Sequence, residues 1–209
     1  MQKEPSIKQR GQRKYIPAAG KDWRLPLYDP LCKLFGIDSD RKELIDQAAL
    51  QPTHRILDIG CGTGTLILMI RRLYPGIEIV GLDPDPKALA RAKRKTERAH
   101  YSMQFDQGFS DDLPYPPSSF DRVFSSYMMH HMEAKEKEVT LLEARRVLKP
   151  DGTFHMLDFE HREGSKKNIF ANSSQHVALM EKAGFTNVQQ VDQKDTLFGH
   201  ITYYKAPVS

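Results

Sequence analysis

The sequence predicts an α/β fold: a mostly parallel sheet covered by helices on both faces and closed by an antiparallel hairpin. Two observations carry this. Between residues 55 and 159 short β-branched apolar runs alternate with amphipathic stretches long enough to be helices, and such crossovers make consecutive strands parallel. Beyond Gly184 two more apolar runs are separated by only a few residues, a connection too short for anything but an antiparallel pair.

Each element has its own warrant. Residues 1–24 hold Lys3, Lys8, Arg10, Arg13, Lys14, Lys21 and Arg24 with almost no apolar periodicity, so residues 1–14 read as a mobile basic arm. Trp23, Leu25, Leu27, Tyr28, Leu31, Leu34 and Phe35 then form an apolar cluster. Asp40 with Glu43 three residues on has capping-box spacing and predicts a helix that ends at Gln51-Pro52. Arg55 to Ile59 reads as a buried strand. Thr65 to Tyr74 follows as a helix with Leu66, Ile70 and Leu73 on one face, stopped by Pro75-Gly76. Ile77 to Leu82 is the second strand. Asp85 to Ala99 is a helix with Pro86 in its first turn, Leu89 and Ala92 inward, and Lys87, Arg91, Lys95 and Arg98 outward. Tyr101 to Asp106 and Phe120 to Ser125 are the third and fourth strands. Lys135 to Leu148 is a helix with Leu141, Ala144 and Leu148 on one face, and Gly152 to Phe159 is the fifth strand. A helix over Gln175 to Ala183 precedes the strands Val188 to Gln193 and Leu197 to Tyr204.

Composition narrows the class. A chain of 209 residues, 39% apolar and 28% charged, is expected to form one globular domain, or one domain plus an ornament, not a collagen-like or disordered polymer. The apolar run from Leu66 to Ile70 falls far short of the ~18 residues a membrane span needs, and the first residues lack the apolar stretch of a signal peptide, so the expected compartment is the cytoplasm. In that compartment Cys32 and Cys61 are expected as reduced thiols. The net charge of +4 comes from 31 basic against 27 acidic residues, too near balance to announce a nucleic-acid protein. Helical spacing puts the basic residues between Lys87 and Arg98 on one outer face, which reads either as a solvated surface or, with the basic arm, as a contact for nucleic acid. The histidines at 54, 100, 155, 161, 176 and 200 show no metal-ligand spacing, so no metal site is expected.

Ligands of open α/β sheets sit at the carboxyl ends of strands, so the first strand-to-helix turn carries the most information. It reads Asp58-Ile-Gly60-Cys61-Gly62-Thr-Gly64. The spacing is G-x-G-x-G, not the G-x-G-x-x-G of dinucleotide sites, and no Gly-Lys-Ser/Thr follows to make a phosphate loop. Bare backbone against a ligand, headed by an acid, favours a cationic or amino-bearing group; the alternative is a tight turn without a ligand. The second strand ends at Asp83, whose carboxylate can accept two hydrogen bonds from a ribose diol or simply cap the helix behind Pro84.

Four ordered stretches then carry a family resemblance: Ile56-Leu-Asp-Ile-Gly-Cys-Gly-Thr-Gly64, Val80-Gly-Leu-Asp83, Leu113-Pro-Tyr with Ser119-Phe-Asp121, and Arg145-Arg-Val-Leu-Lys-Pro-Asp-Gly152. The chain resembles the class I S-adenosylmethionine-dependent methyltransferases, in particular the small type 11 enzymes related to the ubiquinone and menaquinone methylases. The resemblance is dense over residues 54–159. It implies a Rossmann-like seven-stranded mostly parallel sheet with a C-terminal antiparallel hairpin in a three-layer α/β/α sandwich. It divides the chain into the arm at 1–14, an N-terminal lid at 15–50 and the methyltransferase domain at 51–209. The implied cofactor is S-adenosyl-L-methionine. Asp58, Gly60 and Gly62 would meet its methionine part, Asp83 its ribose, the loop with Phe109 and Ser110 its adenine, and Ser125 and Ser126 its sulfonium; Cys61 and Pro84 belong to the same cofactor-binding set, with Tyr28 as a lid aromatic. Phe109 stands where the commoner pattern has an acid, which leaves the adenine amino group to the backbone, Ser110 or Asp111.

Methyl transfer from a sulfonium needs alignment and dryness first, and a base only where the acceptor carries a proton. His130 and His131 follow the fourth strand at the correct edge of the sheet and are the candidate catalytic bases; the other reading packs one and solvates the other. Between Phe159 and Gln175 only a short segment could build a cap, which points to a small or lipid-like substrate with nucleic acid an unlikely partner. The competing readings are an RNA, DNA or protein methyltransferase working through the basic arm, and a non-catalytic module that binds the cofactor.

Overall fold

A computed structural model describes residues 36–160, 173–197 and 199–209; the basic arm, Tyr28, Cys32 and residues 15–35 of the expected lid lie outside the described residues. Helix α1 spans Ile37–Gln47, three residues earlier than the capping-box spacing at Asp40 predicts, and starts from Gly36 in the left-handed region (φ 78°) with no side-chain cap. Asp40 is buried inside it instead. Its carboxylate accepts from the Tyr127 hydroxyl at 2.6 Å and pairs with Lys194 at 2.7 Å, tertiary partners that outcompete a local cap.

The alternation expected from the sequence then follows: β1 (Arg55–Ile59), α2 (Thr65–Leu73), β2 (Glu78–Asp83), α3 (Pro86–Arg98), β3 (Gln104–Gln107), β4 (Phe120–Ser126), α4 (Ala134–Val147), β5 (Leu148–Glu160), α5 (Ser173–Lys182), β6 (Gln189–Thr196) and β7 (Gly199–Pro207). Asp85 caps α3 by accepting from the Lys87 N–H at 2.8 Å, and Pro86 takes the first helical position. A true capping box is present at α4, made by Glu133 and Glu136. The third strand starts at Gln104, later than the apolar run suggests, and the fifth starts earlier, because Leu148 already pairs with Phe120 before the register shifts.

The seven strands lie in the order β3-β2-β1-β4-β5-β7-β6. The five strands from β3 to β5 in this order are parallel, while β7 pairs antiparallel with both β5 and β6. Successive side chains of a strand point to opposite faces, and the core splits accordingly. Leu57, Val80, Val123 and Met156 pack under α4 and α5 with Leu141, Ala144 and Met180. Ile56, Ile79, Phe124 and Leu157 pack under α1, α2 and α3 with Leu44, Ile67 and Leu89. Leu73, expected on the inner face of α2, is 51% exposed; Leu66, Ile67 and Ile70 form that face instead. Reversal of strand order between β1 and β4 opens a crevice at their carboxyl ends, and the candidate site occupies it.

Candidate active site

β1 runs out into Gly60, and the chain turns back over the end of β2. The N–H groups of Gly60 and Cys61 both donate to the Leu82 carbonyl, at 2.8 and 3.0 Å. Gly60, Gly62 and Gly64 have φ of 71°, 52° and 72°, left-handed conformations that side chains rarely tolerate. A Cβ on Gly60 would also overlap Met128, and one on Gly64 would lie 2.9 Å from the Ala92 Cβ. The alternating glycines are therefore what lets this turn fit between β4 and α3.

The turn borders a cleft of ≈ 500 Å³. Of the residues singled out from the sequence, Gly60, Cys61, Gly62, Asp83, Pro84, Phe109, Ser110 and His131 line it. Asp83 is the best defined. One carboxylate oxygen accepts from the Gly62 N–H at 2.8 Å and the other from the Asp85 N–H at 2.9 Å, so it ties the glycine turn to the start of α3 while facing the cleft. Burial pushes its pKa up to about 6 against the pull of the two backbone donors. Ser110 is hydrogen-bonded to Thr140 at 2.9 Å, which fixes the loop after β3 against α4.

Asp58, Ser125 and His130 do not reach the cleft wall. Asp58 is 1% exposed, with neither carboxylate oxygen hydrogen-bonded, and burial raises its pKa to about 8, partly offset by Arg41. Ser125 shares the parity of Val123 and is buried on the α4 side of the sheet, its hydroxyl also without a partner, whereas Ser126 lines the cleft.

His130 and His131 separate into two positions. His130 Nδ1 lies 2.5 Å from a carboxylate oxygen of Asp158, and its backbone N–H donates to the other oxygen at 2.9 Å. Asp158 is 0% exposed and also accepts from the Phe159 N–H at 2.8 Å, so the His130 ring is held by its Nδ1 edge against a buried carboxylate. The His131 ring packs against it at 3.9 Å between centroids and presents itself to the cleft. Burial first, then the neighbouring His130, lowers the His131 pKa, with Asp158 pulling the other way.

Several site residues carried no sequence signal. Arg41, 6% exposed on α1, lines the cleft with its guanidinium carbon 5.9 Å from the centre of the Tyr127 ring. Tyr127, Met128 and Met132 join Phe109 as its apolar wall, and Tyr127 is held at φ 56°. Asp158 could have been noticed: it is the one acid within the apolar run from Phe154 to Phe159.

Comparison with known proteins agrees with this architecture. A methyltransferase-domain family model matches residues 56–152, from β1 into β5, and a model of the anamorsin N-terminal region matches residues 111–202. Over residues 56–152 the chain is similar to the class I S-adenosylmethionine-dependent methyltransferases. Within that class it is 36% identical over 137 residues to the demethylmenaquinone methyltransferase of Thermus thermophilus, covering 64% of this chain and 61% of that protein. The chain thus spans about three-fifths of the length of that relative and about half of several others. Among solved structures, phosphoethanolamine N-methyltransferase 2 of Haemonchus contortus, in complex with S-adenosyl-L-methionine, superposes with a TM-score of 0.72 at 16% identity over 81% of this chain and 52% of that one. The [4+2]-cyclase SpnF superposes with a TM-score of 0.71 at 19% identity, over 81% and 80%. At such identities the superpositions speak for the fold alone.

Proposed function

We propose that the protein transfers the methyl group of S-adenosylmethionine to a small apolar acceptor of quinol or other lipid-like character. One observation carries the reading: a single cleft joins a polar half, built from the glycine turn and Asp83, to an apolar half built from Phe109, Tyr127, Met128 and Met132. The polar half fits the cofactor. The Asp83 carboxylate, with lone pairs left after its two backbone bonds, takes the ribose hydroxyls. The bare backbone of Gly60 and Gly62 leaves room for the methionine part, and the orphaned carboxyl of Asp58 behind it favours that part's ammonium group. Arg41 offers a cation for its carboxylate, while Phe109 and Ser110 flank the adenine. When bound, the cofactor supplies an electrophilic methyl whose departure leaves a neutral thioether.

The chain's own residues then align the acceptor, exclude water and take a proton. His131 is the base, and His130 with Asp158 are positioning residues that hold its ring against the cleft. A pKa below the ordinary imidazole value keeps His131 neutral and able to accept at pH 7. Closure by residues 15–50 and a cytoplasmic location belong to the same proposal. Among the described residues no helix is long and apolar enough to cross a membrane.

The test is incubation with trideuteromethyl-labelled cofactor and either reduced demethylated naphthoquinones or fractionated cell extract, followed by mass spectrometry. Label in an apolar product supports the proposal. Label in protein or nucleic acid, or no cofactor turnover with any fraction, overturns it. His131→Ala should cut turnover by ~10²–10⁴ and leave cofactor affinity within about twofold.

A further inference from the structure

The outer face of the molecule between α2 and α3 holds a second recess, of ≈ 470 Å³, lined by Arg72, Arg91, Arg94, Lys95 and Arg98 over a floor of Leu68 and Ala99. We propose that this recess is a binding site for a compact oligophosphate anion, a short run of linked phosphate groups carried by a small molecule.

Charge is the first argument. Five cations line the recess and no acid does, while the whole chain is only +4, so the positive charge is gathered here rather than spread evenly. Arg91, Arg94, Lys95 and Arg98 stand at i, i+3, i+4 and i+7 on one face of α3, where like charges repel. Helix α3 has one acid, Glu97, and it borders a different recess together with Lys93. Among the described residues no carboxylate pairs with Arg72, Arg94 or Arg98. The dipole of α3 accounts for cations in its last turn, but Arg91 lies well before that turn and Arg72 comes from another helix.

Shape and lining choose the ligand. Guanidinium groups match phosphate oxygens in a two-pronged geometry, which suits several phosphates at once. From Arg91 to Arg98 the helix rises about 10 Å, the reach of a short phosphate chain rather than of an extended strand. No aromatic side chain lines the recess to stack a base, as single-stranded nucleic-acid sites do. A concave site between two helices also withdraws its cations from the plane that a membrane surface would present. Lys95 donates to Thr63 and Thr65 at 3.1 and 2.9 Å, and both threonines line the cofactor cleft, so the two sites share a wall.

The experiment is calorimetric titration of the full chain with tripolyphosphate, an unstructured ten-nucleotide RNA, and vesicles of phosphatidylglycerol and phosphatidylcholine. Arg94→Glu is compared with Lys93→Glu, its neighbour on α3 that faces the other recess and changes net charge equally. Tripolyphosphate should bind the wild type, lose at least tenfold in affinity with Arg94→Glu, and lose less than twofold with Lys93→Glu. S-adenosylmethionine binding and the melting temperature report that each variant is folded; should Arg94→Glu fail that check, Arg98→Gln is read in its place. Equal loss in both variants, or no tripolyphosphate binding up to millimolar concentration, overturns the proposal. So does binding of RNA or vesicles under conditions where tripolyphosphate does not bind.

Discussion

Asp83→Asn separates the charge of the second-strand acid from its shape. In the wild type the carboxylate accepts two backbone hydrogen bonds and has capacity left for a diol. A hydrogen bond to a charged acceptor contributes about 1.5–3 kcal/mol and one between neutral groups about 0.5–1.5, so neutralising the acceptor costs about 1–3 kcal/mol of cofactor binding. That is roughly a 5- to 150-fold rise in Kd. The pH dependence is the sharper signature. With a pKa of about 6 in the free protein, Asp83 is mostly protonated at pH 5, and only the ionised form accepts fully from the ribose. The ratio of wild-type to variant affinity should therefore rise about tenfold between pH 5 and pH 7, because the asparagine has nothing to titrate at that position. The asparagine keeps one acceptor oxygen but sets its NH2 against the other backbone N–H, so a thermal melt of the variant accompanies the binding assay. Calorimetry with S-adenosylhomocysteine at pH 5, 6 and 7 measures both profiles, and parallel profiles for the two proteins would refute the ribose role.

Three further outcomes follow from the structure. His155 is buried against Phe124 with neither ring nitrogen hydrogen-bonded, and burial lowers its pKa to about 3. Below pH 6.5 the unfolded chain takes up a proton that the native protein refuses, so stability falls as pH drops toward 3, by about 2 kcal/mol at pH 5; His155→Phe should flatten this acid limb in urea melts. Gly81→Ala places a methyl 2.8 Å from the Cys61 sulfur and 2.9 Å from the Phe105 ring in the middle of β2, and should destabilise by about 1–3 kcal/mol in chemical denaturation. Asp158→Asn loosens the clamp on His130 and should lower kcat and alter the pH–rate profile while leaving cofactor Kd nearly unchanged; an unaltered profile would return both histidines to packing.

The parallel strands and their helices were legible because each strand reports its two faces separately. Ile56 and Leu57, or Val123 and Phe124, go to opposite cores, so a continuous apolar run marks a strand covered on both sides. The same alternation explains where the strand-end side chains go: Asp58 is buried behind the glycine turn, and Ser125 is buried on the α4 side while Ser126 lines the cleft. The start of α1 was misread because Asp40 and Glu43 have the spacing of a cap, while the partners that claim them, Tyr127 and Lys194, lie far along the chain. Arg41 and the His130–Asp158 pair are invisible for the same reason: only folding brings α1, the end of β4 and the end of β5 together.

Under the proposed function, the division of labour within the cleft assigns the choice of acceptor to the segment after β4. The glycine turn and Asp83 are pinned to the ends of β1 and β2 by backbone bonds to Leu82 and to each other, and parallel register leaves them little freedom. The apolar wall has a different origin. Tyr127, Met128 and Met132 come from the irregular segment between β4 and α4, held by the His130–Asp158 clamp and by Tyr127 bonding to Asp40 of α1. Changes in that segment can reshape the acceptor half without moving the cofactor half. Methionine side chains adapt to flat or irregular apolar surfaces, so substitutions at Met128 and Met132 should shift the acceptor KM before they shift cofactor affinity.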